Sequence, residues 1–357
     1  MIAPPLALKC PTASKVTPVG GDGQLAVAAI SYPMTPLPKL RGRREGTSVT
    51  SDNANHQAQA RYQALAALPM VSYASRSKGL QGFLSAMAAV FSKRELLGLL
   101  VRRELVGRYK ESALGLVWSL VRPLTQLFIY YLVLGQFLGA ARSINNFAIF
   151  IFAGLTVYGL FSEMLIGMTS SVVANAGLIK KVDIPREIFP IAAAGASLFN
   201  FAIQLGILVV AALAVGTIFP GWNLLFAVGA FLIVFTWGLA LGLMLSAANV
   251  YMRDIQFLVD VIVMLLMWFS PVVYSWVFVR DVFGAAGLGW LTQVYLSNPL
   301  TVAVIGFQEA FWAIPSGGEL LPDLWLRMAL ALAVGLLLVY LGQRYFANKQ
   351  ANFAQEL

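Results

Sequence analysis

The side chains of this chain that can carry chemistry are few. Glu163 and Asp260 each interrupt a long run of hydrophobic residues, and Arg122 stands at the head of another. Ionisable groups in such runs mark proton relays, ion pathways or structural ion pairs. Two separated acids with Arg122 as counter-charge would serve gradient-driven transport, or would pair once for structure. A second constellation is the segment 175–190, NAGLIKKVDIPREIFP. Lys180 and Lys181 supply charge, Leu178, Ile179, Val182 and Ile184 supply apolar anchors, and Pro185 ends the turn. A short amphipathic helix held just outside a membrane would pass a push from a soluble partner into the chain; the same residues would also make an ordinary basic loop.

Other chemistries are excluded by residue type. The one cysteine, Cys10, gives no intramolecular disulfide framework and no Cys-based metal cage. The one histidine, His56, gives no multi-His metal site and no Ser-His-Asp triad in the apolar region, and it reads as a solvated residue of a polar tail. No Gly-Lys pair is present, hence no P-loop, and there is neither an HExxH pattern nor a dinucleotide fingerprint opening a helix. Any work this chain does draws on a gradient or on a partner.

The elements that must position these residues are set by composition. Of 357 residues, 59% are hydrophobic and only 11% charged, against roughly 25% charged in soluble domains. The mean hydropathy is +0.76. Such a chain cannot cover itself with a water-facing surface, so it is an integral membrane protein of the all-α class. Residues 1–113 hold fifteen Lys/Arg and six Asp/Glu, whereas 114–357 hold ten of each. The net charge of +9 therefore precedes the first span. Basic tails bind nucleic acid or anionic lipid; beside a membrane domain the lipid surface and orientation explain this one, and no nucleic-acid partner is expected.

Residues 1–80, rich in Pro, Gly, Ser, Thr and Ala, read as a disordered basic tail. Its role is regulation or docking, or it is a dispensable extension, with Met70 and Met87 as later possible starts. Residues 92–111 place Leu97, Leu100, Val101, Leu105 and Tyr109 on one helical face, with Glu104 and Arg108 beside them, which suits a helix lying in the membrane interface. Six spans of about 20 apolar residues follow, at about 114–141, 146–173, 188–218, 224–252, 256–278 and 324–345, the third and fourth separated by the turn signal Phe219-Pro220-Gly221-Trp222-Asn223. Residues 280–312 are apolar but broken by Gly284, Gly287, Gly289 and Asn298-Pro299, which predicts short re-entrant helices. With both termini cytoplasmic, the inside segments hold 21 Lys/Arg and the outside segments 3 (Arg142, Arg280, Arg327).

The run Arg108-Tyr109-Lys110-Glu111-Ser112-Ala113-Leu114-Gly115, followed by Trp118 and Pro123, resembles the opening signature of ABC type 2 permeases that export polysaccharides. The loop 175–182 with Pro185-Arg186-Glu187 is similar to that family's segment before its third span. Arg253-Asp254 with Pro271 and Tyr274, and Asn298-Pro299-Leu300 with Gly306-Phe307, also match in order, over about residues 95–347. The resemblance implies a homodimer of six-span subunits in the bacterial plasma membrane. It implies two copies of a cytoplasmic ABC ATPase subunit that bind ATP and magnesium, with no cofactor in this chain. The cargo it implies is a glycan on a polyprenyl diphosphate: O antigen, teichoic acid or another cell-wall polymer.

On the same resemblance, 175–186 is the coupling helix, with Leu178, Ile179, Lys180, Lys181, Val182, Asp183, Pro185 and Arg186, and 280–312 gates the external end through Asn298 and Pro299. A lipid diphosphate needs cations at its entrance, where Arg102, Arg103, Arg108 and Lys110 stand. A glycan needs aromatic or polar lining, for which Tyr130, Tyr131, Tyr158, Phe161, Trp268, Tyr274, Trp276 and Trp290 are candidates; interfacial belts and helix packing use the same residue types. Export of a small drug or lipid, a proton-coupled carrier and a scaffold without transport are the alternatives. The long start departs from the family pattern.

Overall fold

The computed structural model describes residues 80–109, 117–182, 184–217, 221–313 and 321–357, together with positions 59 and 63. Cys10, His56, nearly all of the basic tail, Lys110, Asp183 and the turn residues Phe219 and Pro220 lie outside them. The regular structure among the described residues is helical. Two helices, Leu80–Ser92 (α1) and Arg94–Tyr109 (α2), precede Trp118–Tyr130 (α3), which continues as a π-helical segment, Tyr131–Phe137, and a single turn, Ala140–Ser143 (α4). Then come Phe147–Ala174 (α5), the turn Ala176–Ile179 (α6), Ile188–Val215 (α7), Leu224–Tyr251 (α8) and Ile255–Trp268 (α9). Three short helices, Trp276–Ala285 (α10), Gly289–Leu296 (α11) and Pro299–Gln308 (α12), lead to Leu324–Lys349 (α13) and a final turn, Phe353–Glu356 (α14).

Four helices are long and apolar enough to cross a bilayer: α5, α7, α8 and α13. At 28 residues each, α5, α7 and α8 reach about 42 Å, more than the hydrocarbon core of about 30 Å. Their burial differs. The most apolar stretch of α5 is 78% buried within the chain, against 22–33% in the other three; α5 is the central helix, packed by α7 and α8, with α13 seated on the α8 side. This fits its sequence, which is apolar on every side. Glycines on α8 and α13 admit the neighbours. A Cβ on Gly242 would lie 2.5 Å from Met168 Sδ of α5, and one on Gly342 would lie 2.6 Å from the carbonyl oxygen of Ala240. Small residues bring helix backbones together where lipid supplies no hydrophobic drive between them.

The first and fifth expected spans differ from the long four. Helix α3 has Pro123 inside it and passes into the π-helical segment, 13 and 7 residues in turn; proline removes a backbone donor and π turns absorb the resulting misfit. Helix α9 is 14 residues long and stops at Trp268, not at the expected 278. Pro271 cannot continue the helix, and the broken backbone at 270–273 is buried. Its carbonyls are met by side chains: Gln308 Nε2 donates to the Pro271 oxygen at 3.0 Å and Tyr274 Oη to the Trp268 oxygen at 2.6 Å. Irregular backbone survives at such a depth only when protein satisfies it in this way. A Cβ on Gly154 would stand 2.8 Å from the Val272 oxygen, so α5 carries a glycine where this segment crosses it.

The stretch expected to lie in the interface is helical over Arg94–Tyr109 as α2, with α1 ahead of it, which sequence reading leaves unassigned. Val101 packs against Gly195 of α7, where a Cβ would come within 2.8 Å. Where short helices are expected in 280–312, α11 and α12 form after the last part of α10, and α12 is capped by Asn298, whose Oδ1 accepts from the Leu300 N–H at 3.0 Å, with Pro299 following.

Candidate functional site

Between α5 and α7 the segment expected to be a coupling helix across 175–186 is helical only over α6. Asn175 holds its start: Nδ2 donates to the Ser171 oxygen at 2.7 Å, and Oδ1 accepts from Arg103 Nη2 of α2. Ile179 is buried at 6% exposure and Leu178 half-buried, whereas Lys180, Lys181 and Val182 face outward. Ile179 therefore anchors a turn whose free surface carries two ammonium groups and a valine.

The far end of this segment is tied to the last residues of the chain. Arg186 Nη1 donates to the Gln350 carbonyl, and its guanidinium lies 6.0 Å from the Phe353 ring centre. Gln350 Nε2 donates to Glu187 Oε1 at 3.2 Å. Phe353 and Glu187 are fully buried, and Tyr251 Oη donates to the Lys349 oxygen at 2.8 Å. Pro185 is half-buried beside them. Sequence reading missed Gln350, Phe353 and Tyr251; the one available signal was an isolated phenylalanine in the polar stretch after the last span. Arg186, expected among outward docking residues, instead fastens the loop to the chain's own end.

The three described cations of the expected entrance have different surroundings. Arg103 reaches Asn175, Arg102 is exposed, and Lys110 is outside the described residues. Arg108 turns to α5, with Nη1 3.9 Å from Glu163 Oε2 and Nε 4.0 Å from Glu104 Oε1. Asn200 of α7 donates to the same Glu163 oxygen at 3.0 Å. Glu163 is thus the meeting point of α2, α5 and α7. Asp260 and Arg122, the other two ionisable residues in apolar runs, are exposed on α9 and α3.

The candidate lining aromatics also divide. Tyr131, Trp268 and Trp290 are exposed, at 37%, 54% and 64%. Tyr158 is buried and donates to the Val263 oxygen; Trp276 is buried beneath Arg280; Tyr130 Oη lies 3.7 Å from Met267 Sδ; Tyr274 accepts from Tyr295 at 3.4 Å. Phe161 is buried beside Asn298 and Pro299 at an apolar cavity of about 150 Å³, which Trp237 and Leu266 also line. Asn298 and Pro299 thus start a helix beside a cavity. Exposed Phe128, Phe257 and Phe269 were not among the candidates, although they lie on the same helices or just beyond.

Comparison with known proteins follows this geometry. The sequence profile described as ABC-2 type transporter matches residues 95–312. A curated protein of Myxococcus xanthus, named O-antigen export system permease protein RfbA, is 30% identical over 268 residues, 75% of this chain and 97% of that protein. A Klebsiella pneumoniae protein of the same name is 25% identical over 267 residues, 74% of this chain and 95% of its own length.

Proposed function

Because this chain belongs to the ABC-2 type transporter family, we propose that its helical bundle is the membrane-spanning subunit of an ATP-driven polysaccharide exporter. It is a multi-pass membrane protein and no ATPase itself; the energy comes from an ABC ATPase partner. The finer reading is ours. Two copies of this chain work with two ATPase subunits that bind ATP and magnesium. The spans number six, with α3 and its π-helical continuation as the first and the α9–α10 pair as the fifth. Both termini lie on the cytoplasmic side of the bacterial plasma membrane. The cargo is a glycan carried on a polyprenyl diphosphate, O antigen being the nearest kind given the relatives' names.

The observation that carries this reading is the coupling turn. Ile179 is seated in the bundle while Lys180, Lys181 and Val182 are presented outward, and both flanks of the turn are fixed, by Arg103 at Asn175 and by the chain's end at Arg186. A push on the exposed residues therefore reaches α5 and α7 together rather than being lost in a loose loop. Arg102, exposed on α2, is the cation best placed to meet a diphosphate, because Arg103 already holds Asn175 and Arg108 already faces Glu163. Exposed Tyr131, Trp268 and Trp290 are the lining aromatics of choice.

The test is a pull-down from native membranes through a tag on this chain, with an ATPase assay on what co-purifies. A stoichiometric ATPase is expected, and replacing Ile179, Lys180 and Lys181 by alanine removes it. ATP hydrolysis by this chain purified alone would sink the assignment. Deletion of the gene is expected to deplete a surface glycan; normal glycan with raised drug sensitivity would move the cargo to small molecules.

A further inference from the structure

Beside Phe161 the bundle leaves an apolar cavity of about 150 Å³ between α5, α8 and α9, with the first residues of α12 on its edge. Its floor is Phe161, Ile233 and Val234, all buried, and its rim includes Trp237, Leu241 and Leu266, which are half-buried. The cavity is therefore blind at the floor and open at the rim. Leu266 is flanked on α9 by Ile262 and Leu265, 39% and 47% exposed, so the rim continues onto an apolar outer face. The two polar side chains in the lining are engaged elsewhere: Asn298 Oδ1 accepts from the Leu300 N–H, and Trp237 Nε1 donates to the Ala331 oxygen at 2.9 Å. Among the described residues, no ionisable side chain lines it. A buried water needs roughly two to four polar partners, and apolar cavities of this size stay dry and take up benzene-sized molecules.

The depth of the cavity identifies the medium that it meets. Phe161 is the fifteenth of the 28 residues of α5, and Trp237 the fourteenth of the 28 of α8. The two helices are in register, since a Cβ on Gly238 would stand 3.2 Å from Met164 Cε. Each of the two residues is about 20 Å from both ends of its helix, which puts the cavity at the level of the bilayer midplane. Helix α12 begins there and rises toward the Phe147 end of α5, where Gln308 lies beside Gly154. Its Asn298-Pro299 start is thus a re-entrant tip with empty space at its side. The two leaflets of a hydrocarbon core about 30 Å thick meet at this level, so each phospholipid chain ends there, about 15 Å from its ester.

We propose that this cavity is a lipid site that takes the terminal segment of a phospholipid acyl chain. The end of such a chain is what the bilayer supplies at this depth, and its apolar body suits a lining with no free polar group. A chain longer than one leaflet presents its middle at this level, whereas a blind pocket admits an end. The driving force is dispersion, because the segment passes from one apolar medium to another. Atoms lining an empty void lack partners on one side, and the chain end restores those contacts. Asn298 and Pro299 belong to the lining, so a seated chain end also backs the start of α12. The inference needs only that the chain lies in a bilayer, and it stands apart from the export reading.

The experiment uses the full chain in nanodiscs that contain a phosphatidylethanolamine with a photoactivatable diazirine at the end of one acyl chain. Adducts are mapped to residues by mass spectrometry. Label is expected on the buried floor, at Phe161, Ile233 or Val234, at least fivefold above that from a probe whose diazirine stands next to the ester. Leu266→Phe, which fills the cavity from α9, lowers the floor label at least fivefold. It leaves label on Leu336 and Leu337, exposed at the middle of α13, within twofold. Leu241→Phe fills the cavity from α8 and gives the same result where Leu266→Phe does not fold, and the two probes on the parent chain decide where neither variant folds. An unlabelled floor beside labelled Leu336 and Leu337 overturns the proposal, and so does floor label that a folded, filled variant retains. Adding a polyprenyl phosphate at a level that leaves the Leu336 and Leu337 label unchanged is expected to leave the floor label unchanged as well. Selective loss at the floor would give the site to an isoprenoid chain and overturn the phospholipid assignment.

Discussion

Glu163 accepts from Asn200 at 3.0 Å but stands 3.9 Å from Arg108, and both charged side chains are about one-third exposed. The hydrogen bond to Asn200, itself 5% exposed, outweighs the looser ion pair. Partly exposed pairs contribute about 0–1 kcal/mol, and a hydrogen bond to a charged group about 1.5–3. Glu163→Ala is therefore expected to destabilise by about 2 kcal/mol, Arg108→Ala by less than about 1, and Glu163→Gln to fall between them because an acceptor remains; thermal unfolding of the purified variants ranks them. Glu309, 3% exposed in the turn after α12, is a different case. Burial pushes its carboxyl up to about 7, against the opposing pull of the Leu321 backbone. The fold thus favours the protonated form. The associated stabilisation, on the order of 3 kcal/mol, is complete below about pH 4.5 and is lost as pH rises through about 7. The melting temperature is expected to fall across that window in the parent and to stay level in Glu309→Gln. Neither assignment was legible in the sequence: Glu163 read as a proton-relay candidate because its partners are 55 and 37 residues away along the chain, and Glu309 sits at the end of an apolar stretch with nothing local to mark its burial.

At the scale of elements, glycines decide how closely helices approach, and their substitutions should separate by sign. A Cβ on Gly342 meets the Ala240 carbonyl at 2.6 Å, which the backbone cannot yield cheaply, whereas one on Gly206 finds nothing within 4 Å. Gly342→Ala is expected to cost about 1–3 kcal/mol through overpacking, and Gly206→Ala to gain up to about 1 through helix propensity; unfolding in one detergent compares them directly. The four long helices were legible because length and hydropathy suffice to define them. The interruption after Trp268 was not. Its run from Gln256 to Phe278 is apolar apart from Asp260 and reads as one helix, and the side chain that makes the break tolerable, Gln308, comes from another element. The loop 175–186 was half legible in its packing: Ile179, read as an apolar anchor, is buried, but the fastening of Arg186 to Gln350 spans 164 residues. Phe353→Ala removes a fully buried ring and is expected to destabilise this end by about 3 kcal/mol. It should also reduce ATPase co-purification while leaving the spans in the membrane, as protease protection would show.

For the whole molecule, one central helix is buried along most of its length while the other three long helices leave large faces open. Those apolar faces suit lipid or further protein, so the isolated chain is an incomplete surface rather than a finished one. Composition announced the membrane and the sequence pattern announced the family. Which outward faces meet lipid was not readable, because the exposed sides of all four long helices are apolar. The seating of Gln350 and Phe353 against the coupling loop has a consequence for biosynthesis. Those residues are translated after every long helix, so the loop between α5 and α7 waits for them while the ribosome makes some 160 residues more. The loop's fastened form thus depends on residues made long after it, and a chain cut before Gln350 is expected to insert its helices while this loop stays untied.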